Sequence, residues 1–437
     1  VNTRQAVERA RAHSRIVAGA DAEVGQRAIE WARRRSPVLD GFVREQLTDG
    51  RLAGRRVAVV VHLEAKTALL ATILADAGAE VVVAGSNPFT TRDEVAAALV
   101  ERGIEVHSSR RSSAEQWEAD LAAVAASGPQ LVIDDGAELT VRIARDHPDV
   151  LAGLWGVTEE TTTGVARLVT MAEHGQLPMA AVAANDAACK HLFDNRYGTG
   201  QSTVQAILAL TNLRLPGRRV VVIGYGWVGR GIATYVKALG GRVTVMEVDA
   251  VRALEAHMDG HEVADARSAL PWAELIITAT GGVHAVGAGH LDLLAANVVV
   301  ANAGHHDREI DVDALEARAV ATEEVRAGVT RYRLDAGRDV HVLSGGALVN
   351  IAGGWGHPIE IMDLSFSVQA LACHWLAARE LEAGVIHQFP AVLDRSIAAA
   401  KLASRGIHLD DLHDDQTDTL RGLFMPPDSG RPQQDAP

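Results

Sequence analysis

The sequence predicts an α/β protein of two Rossmann-like, doubly wound parallel-sheet domains, the second inserted ahead of a helical return to the first. Three observations predict it. Short β-branched runs alternate with longer helical stretches, the pattern of a parallel sheet with crossover helices. The chain has 437 residues, room for two domains, and 48% of them are hydrophobic, ample for two packed cores. A glycine-rich turn at 224–229 stands between an apolar run and an Ala/Val helix pattern.

Taken in order, the N-terminal VNTRQAVERARAHSR is a charged helix pattern without the apolar core of a signal peptide. Strands are expected at Arg56–His62, Ala79–Ala84 and Gln130–Asp134, with helices such as Thr67–Ala77 and Arg92–Arg102 between them. A helix at Ser202–Leu213 and the turn LPG lead into RRVVVIGYGWVGRG. Here a second series begins, with strands at Arg218–Gly224, Arg242–Val248, Glu274–Thr278, Asn297–Ala301 and Val340–Leu343. After Gly356 the pattern turns helical, at Ile359–Ala383 and Ala391–Arg405. The expected organisation is a first α/β domain over 1–195, a second over 196–355, and a helical return with the tail over 356–437. No repeat of solenoid period interrupts it. The Pro-rich, polar MPPDSGRPQQDAP is expected to fray.

Composition excludes several classes. A formal charge of −14 argues against a nucleic-acid groove or an anionic membrane surface. No uninterrupted apolar run approaches the ~18 residues of a membrane span. Two cysteines, Cys189 and Cys373, form no CxxC, so neither a metal site nor a disulfide framework is expected, which fits a reducing cytoplasm.

Gly224, Gly226 and Gly229 form GxGxxG in its proper setting of strand, turn and helix. The first glycine permits the tight turn, the second lets backbone approach a pyrophosphate, and the third lets helix and strand pack closely. Val228 lies inside the motif. Glu247 ends the next strand, where a carboxylate accepts from the adenosine ribose and repels a 2′-phosphate. NAD is therefore expected over NADP, although Arg230 and Arg252 lie nearby.

Several segments are too polar for their apolar surroundings. Asp134 and Asp135 end the run QLVI, where a parallel strand faces a ligand crevice; the bland alternative is a helix cap. Glu159 and Glu160 precede Thr161, Thr162, Thr163 and Gly164, either a cofactor contact or a cap for a helix at Val165–His174. Lys190 and Asp194 are i,i+4 neighbours beside Asn195, either a surface ion pair or a cleft. His305 follows VVVANAG and His357 follows GGWG; each faces a ligand or fills a structural role. His306, His341 and His374 favour structural roles.

Together these segments resemble the S-adenosylhomocysteine hydrolase family, in order from about Arg56 to Ile407. The markers are HLEAKTA (62–68), DDGAELT (134–140), EETTTGV (159–165), NDAACKHLFDNRYGTGQST (185–203), GYGWVGRG (224–231), TATG (278–281), NAGHHDREID (302–311) and LVNIAGGWGHPIEIMDLSF (348–366). HLE-x-KTA and GYGW look like the shorter branch found in archaea and some thermophilic bacteria. That branch lacks a C-terminal Lys/Tyr tail, as this sequence does. In longer members the tail reaches a neighbouring subunit's NAD, so a tetramer is not assumed. A homo-oligomer, dimer or tetramer, is expected.

The resemblance implies transient oxidation of a ribose 3′-hydroxyl by tightly bound NAD, removal of the C4′ proton, expulsion of the C5′ thiolate, addition of water and return of the hydride. Lys190 and Asp194 would handle the 3′-hydroxyl, with Lys190 a base of lowered pKa. Asp135, His62 and His305 would surround C4′ and C5′, and Glu160 would hold the ribose hydroxyls. Glu64, Lys66, His357, Met362, Trp355 and Phe366 would line the substrate side. Thr161, Thr162, Thr163, Asn195, Glu247, Thr280 and Asn350 would contact NAD.

The sequence departs from the family pattern in places. LSGGALVN puts Gly345 and Ala347 where an acid and an arginine are usual, GHHD adds His306, and GWGHP adds Trp355. Two further readings follow. One is an enzyme running the same 3′-oxidation and 4′-deprotonation on another nucleoside. The other is a non-catalytic, NAD-binding regulatory homologue. Whether the base is adenine or hypoxanthine stays open.

Overall fold

A computed structural model describes residues 3–305, 307–334, 337–416 and 419. His306 and the Pro-rich tail lie outside the described residues. Among the described residues, fifteen strands form two sheets. The first contains β1 (Arg56–Val60), β2 (Glu80–Ala84), β3 (Glu105–His107), β4 (Leu131–Asp134), β5 (Gly156–Glu159), β6 (Ala180–Ala183) and, much later in the chain, β15 (Ile386–Gln388). The second contains β7 (Arg219–Ile223), β8 (Arg242–Met246), β9 (Glu262–Val263), β10 (Leu275–Thr278), β11 (Val298–Asn302), β12 (Ala319–Arg326), β13 (Val329–Leu334) and β14 (Asp339–Leu343).

The first sheet runs β15-β6-β5-β4-β1-β2-β3 and is parallel throughout. The second runs β12-β13-β14-β11-β10-β7-β8-β9, parallel except for the antiparallel hairpin that adds β12 and β13 at one edge. Both sheets reverse strand order beside their first strand, between β1 and β4 and between β7 and β10. Such a reversal opens a crevice beyond the carboxyl ends of the strands. Buried Val, Ile and Leu fill these strands on both faces, as helices covering both sides of a parallel sheet require.

The expected strands all form, with ends moved by one or two residues. Seven strands were not expected, β3, β5, β6, β9, β12, β13 and β15, and most of them lack the usual signal. β5 and β6 are short and poor in β-branched residues. β12 is mostly exposed and polar, and β15 spans three residues. The helix expected over Ile359–Ala383 ends at Ala377, because Arg379 turns into left-handed backbone at φ 59°.

The helices Ile359–Ala377 and Ala391–Ser404 pack back onto the first sheet. Met362, Leu364, Phe366, Val368, Leu371 and Ile397 join one core with residues from β1, β2 and the helix Ala65–Asp76. The return is therefore not purely helical, since β15 pairs with β6 at the sheet edge.

Candidate active site

Register sets the site. Val60, Asp134 and Glu159 are level at the carboxyl ends of β1, β4 and β5. Ile223, Met246, Thr278 and Asn302 are level at the ends of β7, β8, β10 and β11. Asp135, Glu160 and His305 follow these ends, whereas the Lys190 segment follows β6 and His357 follows the short helix Val349–Ala352.

Lys190 is no surface residue. It is 2% exposed, with Asp194 at 1% and Glu160 at 5%. Its Nζ donates to Asn195 Oδ1 at 2.8 Å and lies 3.4 Å from both Asp194 Oδ1 and Glu160 Oε1. The segment His191–Gly198 winds in widened π-type turns, which stack a residue over the fifth one on and bring Asn195 beneath Lys190. Asp194 also pairs with His357 Nδ1 at 3.1 Å and accepts from Ser365 Oγ at 2.7 Å. Glu160 accepts from Gln369 Nε2 at 2.6 Å, and His357 Nε2 meets Thr199 Oγ1 at 3.0 Å.

The expectation of a lowered lysine pKa is not met. Burial does lower it, but Asp194, Glu160 and Asp135 outweigh burial and hold Lys190 above its ordinary value. Burial also opposes ionisation of Asp194, yet Lys190 and His357 pull its carboxyl well below the usual range. Burial pushes Glu160 up to about 7, against the opposing pull of Lys190.

A second cluster adjoins it. His62 Nε2 lies 3.5 Å from Asp135 Oδ2, and Ser86 Oγ donates to the same oxygen at 2.8 Å. His62 Nδ1 meets Thr90 Oγ1 at 2.9 Å. His305 stands against Gly136, where an added Cβ would lie 2.8 Å from its Nε2. Burial lowers the pKa of both histidines and so keeps them neutral. Asp135 stays ionised: burial raises it, but His62, His305, Ser86 and Lys190 together lower it further. Its Oδ1 is buried without a hydrogen-bond partner. Asp134 takes the bland role, accepting from Leu139 N, Thr140 N and Thr140 Oγ1 at the start of the helix Glu138–Asp146.

The dinucleotide turn fits its purpose. Gly224 has φ 97°, and a Cβ there would lie 2.6 Å from Ala279 O. A Cβ at Gly229 would overlap Gly224 O, whereas one at Gly226 meets nothing nearer than 3.9 Å, so backbone can approach a phosphate there. Val228 is half-buried on the following helix. Glu247 accepts from Tyr225 N at 2.7 Å, which fixes its carboxylate at the ribose position. Arg230 is paired with Glu255, and the Arg252 guanidinium lies 3.9 Å from where a Cβ on Gly226 would stand. Thr280 N and Gly281 N donate to buried Glu309. Asn350 donates to Ser202 Oγ and keeps a buried, unpartnered Oδ1. These features fit NAD.

Thr161 caps the helix Thr162–Glu173 and donates to Glu159 at 2.9 Å, while Thr162 accepts from Asn185, which in turn accepts from Asn195. A chain of hydrogen bonds thus joins Lys190 to the threonine run. Thr163 faces a separate outer groove shared with Arg142 and Arg167.

The substrate-side residues divide. Lys66 pairs with Glu64 at 2.9 Å and donates to Trp355 O at 3.1 Å. Met362 and Phe366 are buried in the first core, on the helix face that carries Ser365 and Gln369. Trp355 is 83% exposed, and its ring lies under Arg92 at 4.9 Å. Gly345 has φ 64° with open space around it, and Ala347 is buried. His374 pairs with Asp49, away from the site. No cluster suited to a metal occurs among the described residues, and no helix among them is long and apolar enough to cross a membrane.

Sequence reasoning missed Asn185, Ser365, Gln369 and Glu309, and read Glu159 only as a cofactor contact or a helix cap. A signal existed for two of them: Met362, Ser365, Phe366 and Gln369 recur at helical spacing, placing two polar groups on a face otherwise fit for a core.

A dinucleotide-binding sheet that shares a cleft with a buried lysine–carboxylate cluster defines an NAD-dependent enzyme. Residues 15–148 match the profile of S-adenosyl-L-homocysteine hydrolase, and residues 195–356 match its NAD binding domain. The chain is 44% identical to the S-inosyl-L-homocysteine hydrolase of Methanopyrus kandleri, over 91% of this chain and 94% of that one. It is 45% identical to the adenosylhomocysteinase of Aeropyrum pernix, over 90% and 94%. With that of Thermotoga maritima it shares 44%, over 91% and 98%. The chain belongs to the S-adenosyl-L-homocysteine hydrolase family.

Proposed function

We propose that the protein is an NAD-dependent hydrolase that cleaves the 5′-thioether of S-adenosylhomocysteine, or of its inosyl counterpart, to nucleoside and homocysteine. The observation that carries this reading is the buried Lys190–Asp194–Glu160 cluster, whose segment meets the dinucleotide turn where the rings of His191 and Trp227 lie 5.2 Å apart. Bound NAD supplies a hydride acceptor for the 3′-carbon. Thr161, Thr162, Asn195, Gly224, Gly226, Gly229, Glu247, Thr280 and Asn350 would hold it.

In this reading Lys190, held as an ammonium, donates to the 3′-oxygen, and Asp194 fixes its position. The 3′-hydroxyl proton passes into this cluster, whose member nearest neutrality is Glu160. A ketone at C3′ would make the C4′ proton acidic. His62 and His305, neutral and beside ionised Asp135, are the groups suited to remove that proton and later to deliver water. His357 would meet the substrate beside Asp194, and Glu64 and Lys66 form a charged wall near it. Assembly as a homo-oligomer belongs to the same proposal.

Incubating the NAD-loaded protein with S-adenosylhomocysteine, and in parallel with S-inosylhomocysteine, in the presence of a thiol-reactive dye tests this directly. Thiol release from at least one is expected, and the faster substrate identifies the base. No release from either, with bound NAD still reduced by a nucleoside, transfers the assignment to a relative acting on a different nucleoside.

A further inference from the structure

We infer that Glu159 is a positioning residue that holds the Asp135–Gly136–Ala137 turn in place and thereby sets where Asp135 and His305 stand. The inference rests on the reading above, in which Asp135, His62 and His305 handle the proton at C4′.

Glu159 is fully buried at the end of β5, level with Asp134. Four donors converge on its carboxylate. Gly136 N (2.8 Å), Thr161 N (2.8 Å) and Thr161 Oγ1 (2.9 Å) reach Oε1, and Ala137 N (2.9 Å) reaches Oε2. Room for it is made by Gly164, where any Cβ would overlap the carboxylate. Helix capping does not account for this arrangement, because Asp134 already serves the amides of Leu139 and Thr140.

The turn needs holding. Gly136 and Ala137 are consecutive left-handed residues, at φ 82° and 55°. An L-residue such as Ala137 is strained there. A turn held against strain relaxes when its restraint is removed. Two proton-handling groups depend on its place. Asp135 is the adjoining residue, and His305 Nε2 packs on the face where Gly136 lacks a Cβ. Arg167 adds a further restraint by donating to Gly136 O at 2.7 Å.

Glu159→Gln separates the two sides of the contact. An amide oxygen can still serve the three donors at Oε1, but its NH2 group then confronts the N–H of Ala137. The holoenzyme variant is expected to reduce its bound NAD with adenosine or inosine within about threefold of the parent. Exchange of the C4′ hydrogen with deuterated solvent, and thiol release, should fall about 100-fold, the scale of an ångström's misplacement. Hydrogen–deuterium exchange of backbone amides over 134–140 should speed up while the rest of the chain is unchanged. Gly136→Ala, which leaves Glu159 intact but presses on His305, should show the same selective loss and serves if the first variant fails to fold. Equal loss of both partial reactions, unaltered C4′ exchange, or unaltered amide protection would overturn the inference. A parent protein without NAD reduction or thiol release would instead sink the functional reading, and the amide exchange would still decide the role of Glu159.

Discussion

Lys190 shows what a residue's neighbours do to it. Spacing alone offered a choice between a surface ion pair and a cleft base. The structure encloses Lys190 among three carboxylates that come from β4, β5 and its own segment. Spacing does not show that convergence, because Asp135, Glu160 and Asp194 lie far apart in the chain; only the family resemblance grouped them around one ribose. Their shared field keeps the amine charged. Burial raises the Glu160 carboxyl from 4.5 to about 7, against the pull of Lys190. A raised carboxyl contributes stability that is fully present below its unfolded pKa and is lost as pH rises through the folded value. The parent protein should therefore lose stability from this group between pH 4.5 and about 7. Glu160→Gln should not, so the variant's stability relative to the parent should rise across that window by up to about 3 kcal/mol. Thermal melts of both proteins across the window check the sign. A constant difference would mean that Glu160 stays ionised throughout.

At the scale of elements, periodicity and glycine chemistry carried most of the information. The GxGxxG turn, both strand series and the helices of the return were legible because each combines a regular apolar pattern with a punctuating residue. β6 and β15 were not, since an Ala-rich tetrapeptide and an isolated tripeptide carry no strand signal of their own; β6 forms between β5 and β15, and β15 pairs with β6 at the sheet edge. Buried caps were equally hidden. Asp394, on the returning helix Ala391–Ser404, accepts from Ala188 N at 2.7 Å and Cys189 N at 2.9 Å, and so fixes the start of the segment that carries Lys190. Asp394→Ala should cost about 1–2 kcal/mol of stability, the scale of a lost helix cap. Turnover should fall about tenfold through misplaced Lys190 while NAD stays bound. Denaturant melts and steady-state rates read both effects, and unchanged turnover at reduced stability would confine Asp394 to a structural role.

At the scale of the molecule, the chain places two crevices, each at its own strand-order reversal, on either side of one cleft. Links across it run from Lys66 to Trp355 O and from Arg92 to Gly354 O. The order of the motifs along the sequence announced both sheets, yet only the folded chain shows Lys190 and Glu160 buried together at the shared cleft. The central claim is that this cleft uses bound NAD to oxidise a ribose 3′-hydroxyl. The measurement that tests it most directly is the near-ultraviolet absorbance of the NAD-loaded protein on mixing with adenosine or inosine, beside their 3′-deoxy analogues. The account predicts the reduced-nicotinamide band with at least one natural nucleoside, none with either analogue, and none with Lys190→Ala although that variant keeps its NAD. No band with any nucleoside, or the same band with the 3′-deoxy compounds, would contradict it.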